Sequence, residues 1–272
     1  MTEYRPDHGS TSDLLSGAHD PSPVQVWNQG GTSPFLIVGD HAGRAIPLKL
    51  DGLGLDPASL DLHIAWDIGV AGLGEILAEK LDACFISQTY SRLVIDCNRS
   101  LADASSIAAS SDGIDIPGNA NIGAADRLER QCAIHRPYHD AISAELARRA
   151  ARSQPTLLVA LHSFTPVMQQ FQRPWQFGIL HRDDSRLSSS VLDLLRAELG
   201  DAVGDNQPYR LDEKDFTVPT HADPRGLDYL ELEVRQDLIG DRPGQEAVAS
   251  LIAPLLLRVG SEMSAHKGHD DS

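Results

Sequence analysis

Cysteine is scarce: Cys84, Cys97 and Cys132 are the three in 272 residues, an odd number without paired spacing. That argues against a disulfide framework and for a reducing, cytoplasmic setting. Positive charge is also short. Lys and Arg number 23 against 39 Asp and Glu, a formal net charge of −16. Nucleic acid and anionic membrane need a basic face, so neither is expected as a partner. A small anionic ligand stays open, because a few local arginines suffice to hold one. Long apolar runs are missing, and none approaches the roughly 20 residues of a membrane span. The N-terminus is polar and acidic, without the apolar stretch of a signal peptide. There is no Gly-x-Ser-x-Gly elbow, no phosphate-binding loop and no Gly-x-Gly-x-x-Gly opening a helix after a strand.

What is present is ordinary for a globular chain, 41% hydrophobic and 23% charged, and long enough to bury a core without staples. Residues 1–23 are rich in Gly, Ser, Asp and Pro and read as a flexible arm; 24–264 read as one folded domain and 265–272 as a frayed tail. Strand-like runs are expected at 24–27, 35–38, 83–88, 93–96, 156–161, 175–180 and 227–234. Helical spacing is expected at 67–80, at 124–151 with a kink at Pro137, at 187–199 and at 245–263. Asp56-Pro57 reads as a helix cap. Residues 100–121 form a long polar loop of the sort that often carries function. Strands alternating with helices predict an α/β fold, a three-layer α/β/α sandwich.

The chain is organised around Phe35-Leu-Ile-Val-Gly-Asp40-His41-Ala-Gly43. A short apolar strand ends at Gly39 and delivers Asp40 and His41 at its carboxyl end, where open α/β sheets bind ligands. The run 156–161 leads in the same way to His162. Catalytic zinc takes three protein ligands and a water, so His41, His162 and a carboxylate are candidates. Asp67, in His63-Ile-Ala-Trp-Asp67-Ile-Gly69, is the preferred third ligand, with a plain helix cap as its bland alternative. Asp40 is its rival. Side chains alternate along an extended chain, so Asp40 points away from His41 and is expected to orient a ligand from behind. Glu231, Glu233 and Arg235 share one face of a strand that reads as central, which makes Glu233, or Glu231, a candidate base and Arg235 a substrate-binding cation. Arg92, Asn98 and Arg99 form the positive side of the pocket.

These residues fall in motifs. Asp40-His-Ala-Gly43, Trp66-Asp-Ile-Gly69, Tyr90-Ser-Arg-Leu-Val-Ile-Asp-Cys-Asn-Arg99, Ile116-Pro-Gly-Asn119, His162-Ser-Phe-Thr-Pro166 and Leu232-Glu-Val-Arg-Gln-Asp-Leu238 resemble the N-formylglutamate amidohydrolase family, over about residues 24–257. The resemblance implies a phosphorylase/hydrolase-like sandwich with a mixed central sheet, akin to zinc carboxypeptidases and aspartoacylases. It implies one zinc ion held by His41 and His162, Glu233 as base and Arg92 on the scissile carbonyl. Asn98 and Arg99 would hold the substrate carboxylate. Arg44 stands where the carboxypeptidase His-x-x-Glu pattern has its ligand, so Asp67 is an inference from position. The implied reaction is hydrolysis of a linear C–N bond in a small anionic N-acyl amino acid, N-formyl-L-glutamate first. A binder of acidic metabolites without chemistry and a zinc carboxypeptidase are the alternatives.

Overall fold

The computed structural model describes residues 2–3, 13–182 and 185–270. The strands of the main sheet are β1 (Thr2–Glu3), β2 (Val24–Trp27), β3 (Phe35–Gly39) and β4 (Cys84–Gln88) in the first half. A small hairpin, β5 (Ser110–Ser111) and β6 (Ile114–Asp115), follows. Then come β7 (Leu157–Phe164), a second hairpin of β8 (Val167–Met168) and β9 (Phe171–Gln172), and β10 (Phe177–Leu180), β11 (Val203–Asp205) and β12 (Tyr229–Arg235). The helices are α1 (Pro57–Leu60), α2 (Val70–Leu81), α3 (Ala124–Arg130), α4 (Arg136–Ala151), α5 (Arg186–Leu199), α6 (Thr217–His221) and α7 (Arg242–Asp270).

The sheet order is β1-β2-β4-β3-β7-β12-β10-β11. Neighbours β4, β3, β7 and β12 run parallel, while β2 against β4 and β10 against β12 are antiparallel, so the sheet is mixed. Alternation along the strands sends residues to two cores. Ile37, Phe85, Val159 and Leu161 pack against α2, α5 and α7; Val38, Ile86, Leu158 and Ala160 pack against α4. Each fully buried aliphatic side chain contributes about 1.5–3 kcal/mol by leaving water. The result is the expected three-layer sandwich.

The differences from expectation have local causes. Residues 93–96 are a turn, because Val94 N–H bonds back to Ser91 O and Asp96 N–H to Ser106 O. The run 156–161 does not stop before His162, since β7 carries it to Phe164. Between α3 and α4 the chain makes a π-helical turn, Gln131–His135, that absorbs the donor missing at Pro137. The closing helix runs to Asp270, beyond the expected start of a frayed tail, and residues 271–272 lie outside the described residues. Its stretch Arg242–Ser264 is long and apolar enough to cross a membrane by length and composition, contrary to the sequence reading, and puts Ala249, Ile252 and Leu256 into the core. Of the expected arm, residue 1 and residues 4–12 are outside the described residues. From residue 13 the chain is docked: Leu14 is buried and Pro21 O accepts from Tyr90 Oη–H at 2.8 Å.

Candidate active site

The carboxyl ends of β3, β7 and β12 meet in a cavity of about 440 Å³. Gly39 ends β3, and the chain passes through Asp40-His41-Ala42 to Gly43. A Cβ at Gly43 would lie 2.0 Å from Thr89 O, so only glycine lets this loop settle against the segment after β4. Asp67 is not a helix cap. Gly69 is, with φ 86° and no room for a Cβ beside Ile239 O, and α2 begins at Val70. Asp67 is fixed instead by its N–H, which donates to His41 O at 2.9 Å.

His41, Asp67 and His162 are brought together, all buried, with one potential ligand atom from each lying within 4.8 Å of the others. Asp67 Oδ2 is 2.9 Å from His162 Nδ1 and 3.4 Å from His41 Nδ1. His41 Nδ1 has no hydrogen-bond partner. Two imidazoles and a carboxylate converging on one point, with an unpaired nitrogen aimed there, fit a divalent cation.

A carboxylate stands behind each imidazole. His41 Nε2 is 2.7 Å from Asp96 Oδ1, and His162 Nε2 is 3.3 Å from Asp40 Oδ2. Asp40 therefore sits behind His162, on the far side from its neighbour in sequence, and Thr217 Oγ1–H holds it at 2.7 Å. Burial disfavours the imidazolium at His162, but the carboxylates of Asp40 and Asp67 outweigh it and hold the pKa well above the usual value. His41 is raised too, against burial and Arg92, by Asp96 and Asp67. Burial works against the charge of Asp40 as well, yet His162 brings its pKa down to about 2.

Asp96 joins two functions. Its Oδ1 takes His41 and its Oδ2 takes Arg92 Nη2 at 2.6 Å and Nε at 3.1 Å. The remaining Arg92 nitrogen, Nη1, is 3.7 Å from Asp67 Oδ1, so the guanidinium lies beside the three converging groups. The register of β12 on β7 sets Glu233 directly beside His162 and Glu231 beside Ala160. Both glutamates are buried and line the cavity. Burial pushes both carboxyls up from their usual range, with His162 working against the rise. Glu233 Oε2 has no hydrogen-bond partner.

The expected carboxylate grip is arranged differently. Asn98 Oδ1 accepts from Phe216 N–H and Thr217 N–H, at 2.9 and 3.0 Å, and its amide nitrogen donates to Asp215 Oδ1. Asn98 thus holds the start of α6. Arg99 Nη1 donates to the same Asp215 oxygen at 3.0 Å. Arg235 shares the strand but not the cavity: it leaves past the end of β12, to Asp237 and Trp175 O. The sequence reading gave Asp96 no role beyond its place in the Tyr90–Arg99 motif, and gave the loop of residues 206–216 no role at all. That loop brings Tyr209, Arg210, Asp212 and Asp215 to the cavity. The one available signal was the density of charged and aromatic residues in a segment without periodicity. Arg44, in the place of the carboxypeptidase glutamate, points outward to Asp61.

A second histidine pair lies behind the site. His139 Nε2 is 2.8 Å from Cys97 O, and His139 Nδ1 is 2.9 Å from His221 Nε2. Burial lowers both, to about 3 for His139 and about 4 for His221.

Comparisons with known proteins agree with this architecture. A family model described as N-formylglutamate amidohydrolase matches residues 33–240. The crystal structure of gene product Atu2144 from Agrobacterium tumefaciens superposes with a TM-score of 0.87 at 36% identity, covering 92% of this chain and 99% of that one. The structure of N-formylglutamate amidohydrolase from Ralstonia eutropha JMP134 superposes with a TM-score of 0.64 at 19% identity, over 90% of this chain and 99% of that one, a likeness of fold. The comparison with curated proteins gave no match.

Proposed function

The chain belongs to the N-formylglutamate amidohydrolase family, and on that premise we propose that this amidohydrolase is metal-dependent and cleaves the C–N bond of a small N-acyl amino acid. N-formyl-L-glutamate is the candidate to which the family likeness points. The observation that carries the reading is the convergence of His41, Asp67 and His162 within reach of one ion, beside a buried glutamate whose outer oxygen is unpaired. A zinc ion held by these three residues would supply a Lewis acid and make water acidic enough to attack at neutral pH.

The chain's own groups then divide the work. Glu233 takes the proton of the attacking water and delivers it to the departing amine nitrogen, so that one acid and one amine leave. Its raised pKa suits a group that must both accept and return a proton near neutrality. Glu231, one pleat earlier, is the alternative base. Arg92, locked by Asp96, faces the carbonyl oxygen and stabilises the charge that grows on it. Asp40 and Asp96 fix the ring orientation of the two histidines and make them better donors.

The test is direct. Protein purified without chelator is analysed for metal, then assayed against N-formyl, N-acetyl and N-succinyl amino acids before and after chelation. Hydrolysis that is lost with the metal and restored by zinc is expected. A metal-replete protein inert to the whole panel ends the reading; a metal-free protein that still binds acidic metabolites favours the binder instead.

A further inference from the structure

Asp215 is a carboxylate placed where a substrate's carboxylate was expected. Its Oδ1 receives both Arg99 Nη1, at 3.0 Å, and the Asn98 side-chain amide, at 3.2 Å. Its Oδ2 accepts from Asp212 N–H at 2.7 Å, which ties the group to its own loop. Asn98 has given its side-chain oxygen to the backbone of residues 216 and 217. The Asn98–Arg99 pair is therefore already satisfied by the chain itself.

The charges around it point the same way. Seven carboxylates and three guanidinium groups line the cavity. Arg92 is engaged by Asp96 and Arg99 by Asp215. Arg210 is the third, and it makes no hydrogen bond or ion pair among the described residues; it enters on the same loop as Asp215. One guanidinium is thus free for one carboxylate. A second carboxylate arriving near Arg99 meets Asp215 at close range, and like charges in a partly enclosed site repel strongly.

We infer that Asp215 is a specificity-determining residue, which makes this site select N-acyl amino acids carrying a single carboxylate, held by Arg210, over those with a second acidic group. The inference rests on the hydrolase reading above and narrows its substrate class away from N-formyl-L-glutamate, the candidate that the family likeness alone points to. N-formyl-L-glutamine and N-formyl-L-glutamate share shape and differ by one charge, so they isolate the effect.

The experiment compares kcat/KM for these two substrates in zinc-loaded wild-type, Asp215→Asn and Asp215→Ser proteins, and measures binding of free L-glutamine and L-glutamate to each by calorimetry. The wild type is expected to favour the glutamine compound by about tenfold or more, the size of a modest charge penalty of 1.4 kcal/mol. Removing the Asp215 charge is expected to shift the ratio at least tenfold toward the glutamate compound, chiefly through KM. A wild type that prefers the glutamate compound overturns the inference, as does an unchanged ratio in both variants or the binding of neither amino acid. If neither compound is hydrolysed, the hydrolase reading fails, and the calorimetric ranking still decides the charge preference.

Discussion

Two buried histidine pairs of this protein have opposite character. His41 and His162 each face a carboxylate on either side, Asp67 between them and Asp96 or Asp40 behind. His139 and His221 face each other, a backbone carbonyl and the ring of Phe216, 4.8 Å from His139. Burial pulls all four toward the neutral form. Carboxylates reverse that at the first pair and nothing reverses it at the second. The residue type is the same, so the difference teaches that the backing group decides whether a buried imidazole favours its charged or its neutral form.

The largest effect that sharpens this contrast is on metal binding. His41→Ala and His162→Ala are expected to abolish stoichiometric zinc, and Asp67→Ala to do likewise, each removing one of the three proposed ligands. His139→Asn is expected to retain zinc. Elemental analysis of the purified variants checks it. Zinc lost from His139→Asn and kept by His162→Ala would exchange the roles of the two pairs.

Next in size is the separation of base from ligand. Glu233→Gln keeps the shape of the side chain and removes its proton acceptor. Turnover should fall by about 10²–10⁴-fold with zinc content unchanged. Glu231→Gln, whose neighbour across the register is Ala160 rather than His162, should lose less. A dead Glu231→Gln beside an active Glu233→Gln moves the role one pleat back.

The groups behind the first pair come third. Asp40→Asn and Asp96→Asn are each expected to weaken zinc by about 10–100-fold. Only Asp96→Asn should also depress kcat at saturating zinc, because the same carboxylate holds Arg92. Equal kcat in the two variants would show that Arg92 does not depend on Asp96 for its position.

Much of the fold was legible because buried strands advertise themselves as short apolar runs, and the two converging histidines were legible because each follows or ends such a run. Asp67 was chosen by position, and its anchor, the carbonyl of His41, has no sequence signature. Asp96 was given no role of its own, because no sequence signal shows that folding buries it and brings His41 to its other oxygen. Arg235 obeyed the period-two rule for its strand, yet a strand's last side chain escapes the cavity that its predecessors line. The contacts of Asn98 were hidden for the complementary reason. Its partners, residues 215–217, lie more than a hundred positions away.

The smallest effect concerns the second pair and the pH dependence of stability. Cys97 O only accepts, so His139 carries its proton on Nε2 and accepts through Nδ1 from His221 Nε2–H. This arrangement holds while both rings are neutral. Their folded pKa values, about 3 and about 4, lie below the ordinary 6.5, so between those limits the unfolded chain binds more protons. Stability then falls as pH drops from 6.5 toward 4 and is fully present above 6.5. At about 1.4 kcal/mol for each pKa unit, His221 alone withdraws on the order of 3 kcal/mol across that window. The lowered carboxylates Asp40 and Asp96 act only below the ordinary carboxylate range. His41 and His162, with raised values, oppose the trend, since their contribution is complete below 6.5 and lost as pH rises. The comparison must therefore be made against a variant. His221→Asn removes the titrating ring at a fixed cost of about 1 kcal/mol for one hydrogen bond, which lowers the whole curve without tilting it. Urea unfolding of zinc-free protein from pH 7 to pH 4 should show the wild type losing stability more steeply than His221→Asn. Parallel curves would mean that His221 charges without penalty, and that the second pair is no less able than the first to carry a proton.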